Sequence, residues 1–261
     1  PLLWVIFSST KTSEGIFSSF GLWFDDKNVF WQNVQDTFAY QNGAYTRWLF
    51  NTIMYAAVAG VGATIIATFA GYAIATMRFP GRNALLAVTL AFMSIPSTVI
   101  TVPLFLMYSK IGLVGTPWAV IIPQLATPFG LYLMIIYAQT SIPVSLIEAA
   151  KLDGASTWTI FWKVGFPLLS PGFVTVLLFT LVGVWNNYFL PLIMLSDTND
   201  YPLTVGLNMW LKMGAQGTAN GQVPNNLIIT GSLIAVVPLI IAFMFLQKYW
   251  QSGLAAGSVK Q

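Results

Sequence analysis

The sequence predicts an all-α integral membrane protein with about six transmembrane helices, the first of them truncated in this chain. Three observations predict it. Only 7% of the 261 residues are charged, against about a quarter in a soluble domain. Hydrophobic residues make up 56% and mean hydropathy is +0.73, so the chain cannot cover a water-facing surface. Charge-free intervals recur along it, each with room for the roughly 20 apolar residues of one span.

The chain opens on "PLLWVIF". Seven apolar residues are too few for a span, and the stretch reads as the outer end of a first helix whose beginning lies outside this chain. Arg47 to Arg78 encloses 30 uncharged residues, Arg82 to Lys110 encloses 27, and Lys110 to Glu148 encloses 37. Lys163 to Asp197 encloses 33 and Lys212 to Lys248 encloses 35. One helix is expected in each, near 50–77, 84–109, 117–138, 168–195 and 227–247, in a single transmembrane domain over 1–261.

Basic residues orient the chain. With 78–83, 139–167 and the tail 248–261 in the cytoplasm, that side carries six basic residues and two acids. The opposite side carries five basic and six acidic residues, spread mainly over outer loops 8–46 and 197–226.

Within the spans, Ala59, Ala63, Ala67, Gly71 and Ala75 recur at every fourth position, a ridge that lets another helix approach closely. Pro96, Pro103, Pro123, Pro128 and Pro238 each free a backbone carbonyl that protein or water must satisfy. They read as packing kinks or as the border of a translocation path. No ionisable residue falls well inside a span, which opposes a proton- or ion-coupled carrier. No internal repeat stands out. The chain has no Cys and no His, so thiol chemistry, the commonest general base and the usual metal ligands are missing. No catalytic residue and no metal site is expected.

"GVWNNYFLPL" in the fifth interval sets Trp185, Asn186, Asn187 and Tyr188 at membrane depth. Aromatic surface with a few placed amides suits a bound solute that carries hydroxyls around an apolar face. Interhelical hydrogen bonding explains the same residues equally well. If the stretch is helical, neighbouring side chains point about 100° apart, so the two Asn have different roles.

The charge-poor chain clusters Glu148, Lys151 and Asp153 in "EAAKLDGASTW". Pro143 suits a first helical turn, Val144–Leu152 is rich in helix formers, and Gly154 is placed as a C′ residue. Ser156 or Thr157 can cap a second short helix to about Lys163, closed by Pro167. Gly154 is expected to need a backbone conformation that a Cβ penalises, and Glu148 to brace the loop by a charge-assisted bond. An amphipathic connector lying in the headgroups, helped by Trp158, Phe161 and Trp162, explains the same stretch.

This stretch resembles the EAA loop of permease subunits in binding-protein-dependent ATP-binding-cassette (ABC) importers: E-A-A, three residues, G, nine residues, then I-x-L-P. Glu148, Ala149, Ala150, Gly154 and Pro167 match, while Val164 and Phe166 stand where Ile and Leu are expected. "PLLWVIFSSTK", "WLFNTI", "GVWNNYFLPLIML" and "GLAAGSVKQ" are similar to segments of the second permease of maltose-type carbohydrate importers, so the resemblance covers nearly the whole chain. It implies a type I ABC importer permease, catalysing nothing itself and binding no cofactor, with ATP and Mg held by a partner ATPase. Glu148, Ala149, Ala150, Lys151, Asp153, Gly154 and Pro167 would form the ATPase-coupling loop. The outer loop with Gly214, Gly217 and Gly221 would meet an extracellular solute-binding protein, or serve only as a linker. The implied partners are a second permease, a cytoplasmic ABC ATPase dimer, the binding protein and membrane lipid, with no nucleic acid. The implied location is the plasma membrane of a bacterium or archaeon. A sugar or oligosaccharide is the expected solute; a polyol or glycerol-phosphate-type solute is the alternative, and an ion-coupled carrier the alternative from another class.

Overall fold

The computed structural model describes the backbone of residues 1–215 and 223–258 and the side chains of 1–215 and 223–247. Among these residues the chain is helical, with no strand. α1 (Leu2–Ser8) and α2 (Gly15–Ser18) precede α3 (Phe30–Tyr55), which passes through a π turn at Ala56–Gly60 into α4 (Val61–Thr76). α5 (Arg82–Met93) and α6 (Ser97–Lys110) follow, then α7 (Pro117–Gln124) and α8 (Pro128–Ser141). The element that the basic residues assign to the inner side is α9 (Val144–Leu152) and α10 (Thr157–Ile160), leading through a π turn at Phe161–Gly165 into α11 (Phe166–Trp185). α12 (Phe189–Met194), a 3₁₀ turn at Thr198–Asp200, α13 (Leu203–Ala215) and α14 (Asn225–Ser258) complete it.

Among the described residues four helical runs are long and apolar enough to cross a membrane: Phe30–Thr76, Pro117–Ser141, Thr157–Trp185 and Asn225–Gln247. The pair α5 and α6, bent by 103°, makes a fifth if it is one span. Phe179, Ile240 and Phe245 are among the many exposed apolar side chains. Such a surface suits hydrocarbon and would be costly in water.

Two of the five intervals, 50–77 and 227–247, lie in continuous helical runs as expected, and the other three hold something more broken. The span placed at 84–109 is two helices, because Pro96 takes an extended ψ of 131° as the residue capping α6. The span at 117–138 stops at Gln124 and restarts at Pro128, where the missing N–H costs nothing at the head of a helix. The span at 168–195 begins earlier and is interrupted at 186–188.

The expected outer loops are also more ordered. Region 8–46 holds the first turns of α3. This helix turns sharply where Gln41, Asn42 and Gly43 take φ of 48°, 56° and 76°. Left-handed backbone costs about 1–2 kcal/mol per non-glycine residue. Here Arg47 donates to the Asn42 carbonyl at 2.8 Å, and Trp210 Nε1 donates to Gln41 Oε1 at 2.9 Å. Region 197–226 contains α13, whose Trp210 is fully buried against Trp48 at a ring separation of 4.9 Å.

The small-residue ridge is packing. Ala59 and Ala63 are fully buried, and a Cβ on Gly71 would lie 2.6 Å from Met134 Cβ. α4 and α8 therefore touch nearly backbone to backbone. One carbonyl freed by a proline finds a hydroxyl. Ser170 donates to the Pro167 carbonyl, which Pro171 cannot reach, at 2.8 Å.

Candidate functional site

The inner element is built on a hydrophobic base. Ile147, Ile160 and Phe161 are buried in one cluster with Tyr72, Met134, Ala138 and Leu169, so three elements of the bundle grip α9 and α10 from beneath. α9 ends as its residues dictate. Asp153 is the last half-helical residue and Gly154 turns left-handed at φ +75°. Across that turn Ala155 donates to the Ala150 carbonyl at 3.0 Å and Gly154 donates to the Lys151 carbonyl at 3.0 Å. This is a Schellman closure, complete with apolar Ala150 and Ala155 resting on the inner cluster. Ser156 then caps α10, its hydroxyl accepting from the Thr159 amide at 3.2 Å.

The upper face of this element is open. Glu148, Ala149, Lys151, Asp153, Gly154 and Pro167 are exposed, Leu152 is 89% exposed, and nothing lies within 4 Å of a Cβ at Gly154. Glu148, expected to brace the loop, points into the open, and backbone bonds do the closing. Pro167 does not end the second short helix either. The π turn brings the Phe166 amide to the Phe161 carbonyl five residues back. That shift in hydrogen-bond register lets the helix run on through a residue with no N–H. Trp158, Phe161 and Trp162 gather with Phe69 and Phe166, the Phe69–Phe161 rings 4.8 Å apart.

At the far end of α11, about 30 Å away by helix rise, the chain breaks at Asn186–Tyr188. The expected ladder of helical neighbours does not exist there. Trp185 is buried with Tyr45, Trp48 and Trp210. Asn186 is exposed and its amide folds back onto the Val182 carbonyl at 2.9 Å. Asn187 reaches across the bundle, its Nδ2 donating to Gln124 Oε1 at 2.9 Å, and Tyr188 donates to Asn208 Oδ1 at 2.9 Å. Pro191 cannot bond the Asn187 carbonyl four residues back, and Thr204 Oγ1 donates to that carbonyl at 2.8 Å instead. Two interrupted helices, α7–α8 and α11–α12, thus meet through one amide pair. Gln124, Thr204 and Asn208 escaped the sequence reading. The only signal was Pro191 four residues after Asn187, which required some donor without naming it.

Gly214 lies near the end of α13, where a Cβ would meet the Val223 carbonyl at 3.1 Å. Gly217 and Gly221 lie outside the described residues. Asp200, whose carbonyl accepts from Tyr55 at 2.8 Å, has its carboxyl held above the usual range by burial and then by the Asp197 charge.

Interrupted spans crossing at polar residues, with a rigid element presented on one face, define a polytopic transport component of the membrane. The chain belongs to the family of binding-protein-dependent transport system inner membrane components, whose model matches residues 63–255. It is 31% identical to the arabinooligosaccharides transport system permease protein AraQ of Halalkalibacterium halodurans, over 100% of this chain and 90% of that protein. It is 32% identical to the osmoprotective compounds uptake permease protein GgtD of Synechocystis, over 98% of this chain and 85% of that protein. The fold is similar to a chain in the crystal structure of a bacterial ABC transporter involved in the import of the acidic polysaccharide alginate. The TM-score is 0.82 at 23% identity, covering 96% of this chain and 90% of that one.

Proposed function

We propose that this chain is one of two permease subunits of an ATP-driven importer for a sugar or oligosaccharide, set in a bacterial or archaeal plasma membrane. It catalyses nothing itself. A separate cytoplasmic ATPase dimer binds ATP and Mg, docks on the inner element, and closes on nucleotide to rock the two permeases between inward- and outward-facing states. An extracellular binding protein delivers the solute.

One observation carries this reading: the inner element and the polar break stand at opposite ends of α11. The element is fixed to the bundle through Ile147, Ile160 and Phe161 while Glu148, Lys151, Leu152 and Asp153 face outward. Force applied to its open face therefore enters α11 directly. At the other end Asn186 and Tyr188 offer an amide and an aromatic ring where the helix has let go of its backbone. Solute hydroxyls and ring faces need such groups. Relatives whose names specify arabinooligosaccharides and galactooligosaccharides favour a sugar. The relative named for osmoprotective compounds favours the second reading, a small polyol-type solute. A phosphorylated solute is disfavoured because the interval 164–196, which holds the polar break, carries no basic residue.

The test is reconstitution of the complex in proteoliposomes. Uptake of labelled oligosaccharide should require ATP and the binding protein together. Uptake driven by an ion gradient without ATP would overturn the proposal.

A further inference from the structure

We propose that the turn joining α4 to α5 is a binding site for a phosphate-bearing anion, and that its occupant is the headgroup of an anionic phospholipid in the cytoplasmic leaflet. A cavity of about 370 Å³ opens there, lined by Arg78, Phe79, Gly81, Arg82, Asn83 and Ala84. Arg78 and Arg82 both line it, and the Nε of Arg82 is buried with no hydrogen-bond partner among the described residues. A guanidinium donor withdrawn from water and left unpaired is costly. A phosphodiester accepts paired guanidinium bonds and, by drawing the Arg82 side chain toward the cavity, relieves that cost. Gly81, at φ +88°, turns the chain into α5, whose first turn has neither an acidic residue nor a side-chain cap. α8, which packs against α5, carries no charged residue.

The surroundings separate a lipid from free phosphate. Leu85, Val88 and Phe92 are exposed at 47%, 50% and 49%. Their spacing of three and four puts them in one stripe running from Arg82 along α5. An acyl chain can lie along such a stripe while its headgroup fills the cavity. Inorganic phosphate has no use for it. The placement rests on the membrane topology alone and is independent of the solute carried.

The test is native mass spectrometry of the whole transporter complex, released from a membrane of equal phosphatidylglycerol and phosphatidylcholine. The wild type should retain phosphatidylglycerol about ten-fold or more over phosphatidylcholine. Arg78→Gln/Arg82→Gln should reduce that preference at least five-fold, while the outer-side Lys110→Gln leaves it unchanged. Equal retention of the two lipids by the wild type, as when an acidic partner residue fills the cavity, overturns the proposal without needing any variant. Undiminished preference in the double variant overturns it too. Displacement of the retained lipid by inorganic phosphate would assign the cavity to the free anion and overturn the lipid.

Discussion

The amide of Ala155 donates to the carbonyl of Ala150 at 3.0 Å across Gly154. That bond ties the end of α9 to the start of the turn and holds the exposed charges above it in one geometry. Only a residue at φ +75° permits it, and the space above Gly154 is empty. The requirement for glycine is therefore conformational and not steric.

Substitution at this position should follow backbone preference and not side-chain size. Gly154→Asn should be tolerated better than Gly154→Val, the latter costing about 1–2 kcal/mol or more locally. Binding-protein-stimulated ATP hydrolysis by the reconstituted complex reads the difference. The Asn variant should keep most of the stimulation and the Val variant should lose most of it, with both chains inserted normally. Equal activity of the two would show that the turn is not what couples.

The two amides of the break should separate. Asn187→Ala and Gln124→Ala each remove the same interhelical bond, and a double-mutant cycle on thermal unfolding should give a coupling of roughly 0.6–1.7 kcal/mol. Asn186→Ala removes only a local bond to Val182. It should leave unfolding unchanged while altering which sugars the complex imports. No coupling in the cycle, together with unchanged selectivity in Asn186→Ala, would remove both assignments.

Thr204→Val should be worse than its small volume change suggests. It orphans the Asn187 carbonyl that Pro191 already leaves free, at a cost of about 1–3 kcal/mol. Thr204→Ser keeps the hydroxyl and should behave as wild type. If Val and Ser variants unfold at the same temperature, Thr204 is not the donor that matters.

Much of this was written locally and could be read locally. The inner element was legible because Pro143, the helix formers of Val144–Leu152, Gly154 and Ser156 are all signals within a few residues of what they specify. The spans were legible as apolar intervals, but their interruptions were not, since counting between charges cannot see where an uncharged helix stops. Pro96 and Pro128 cut their spans, whereas Pro103 and Pro171 sit inside helices. At Pro171 the freed carbonyl is met by the Ser170 hydroxyl, a detail that apolar counting cannot see. The pairing of Gln124 with Asn187 joins residues 63 apart, and no local pattern encodes such a distance. Likewise α13 looked like part of an outer loop because its apolar face is closed by Trp48 and Tyr45, residues from a different helix.

The outer segment gives its own prediction. Deleting residues 214–221 should impair uptake and binding-protein stimulation while the permease–ATPase complex still purifies intact. Wild-type uptake by the deletion would mean that the segment only links α13 to α14.

Because the chain contains no cysteine, a single introduced thiol reports one position unambiguously. Leu152 is the most exposed large apolar residue of the inner element, so Leu152→Cys in the assembled complex, treated with a thiol-to-amine crosslinker, tests the docking face directly. The expected product joins this chain to the ATPase, with yield changing on ATP binding, and Lys110→Cys on the outer side gives none. A Leu152→Cys chain that stays uncrosslinked in an intact, ATP-hydrolysing complex, or crosslinks only to the other permease, would contradict the coupling assigned to this face.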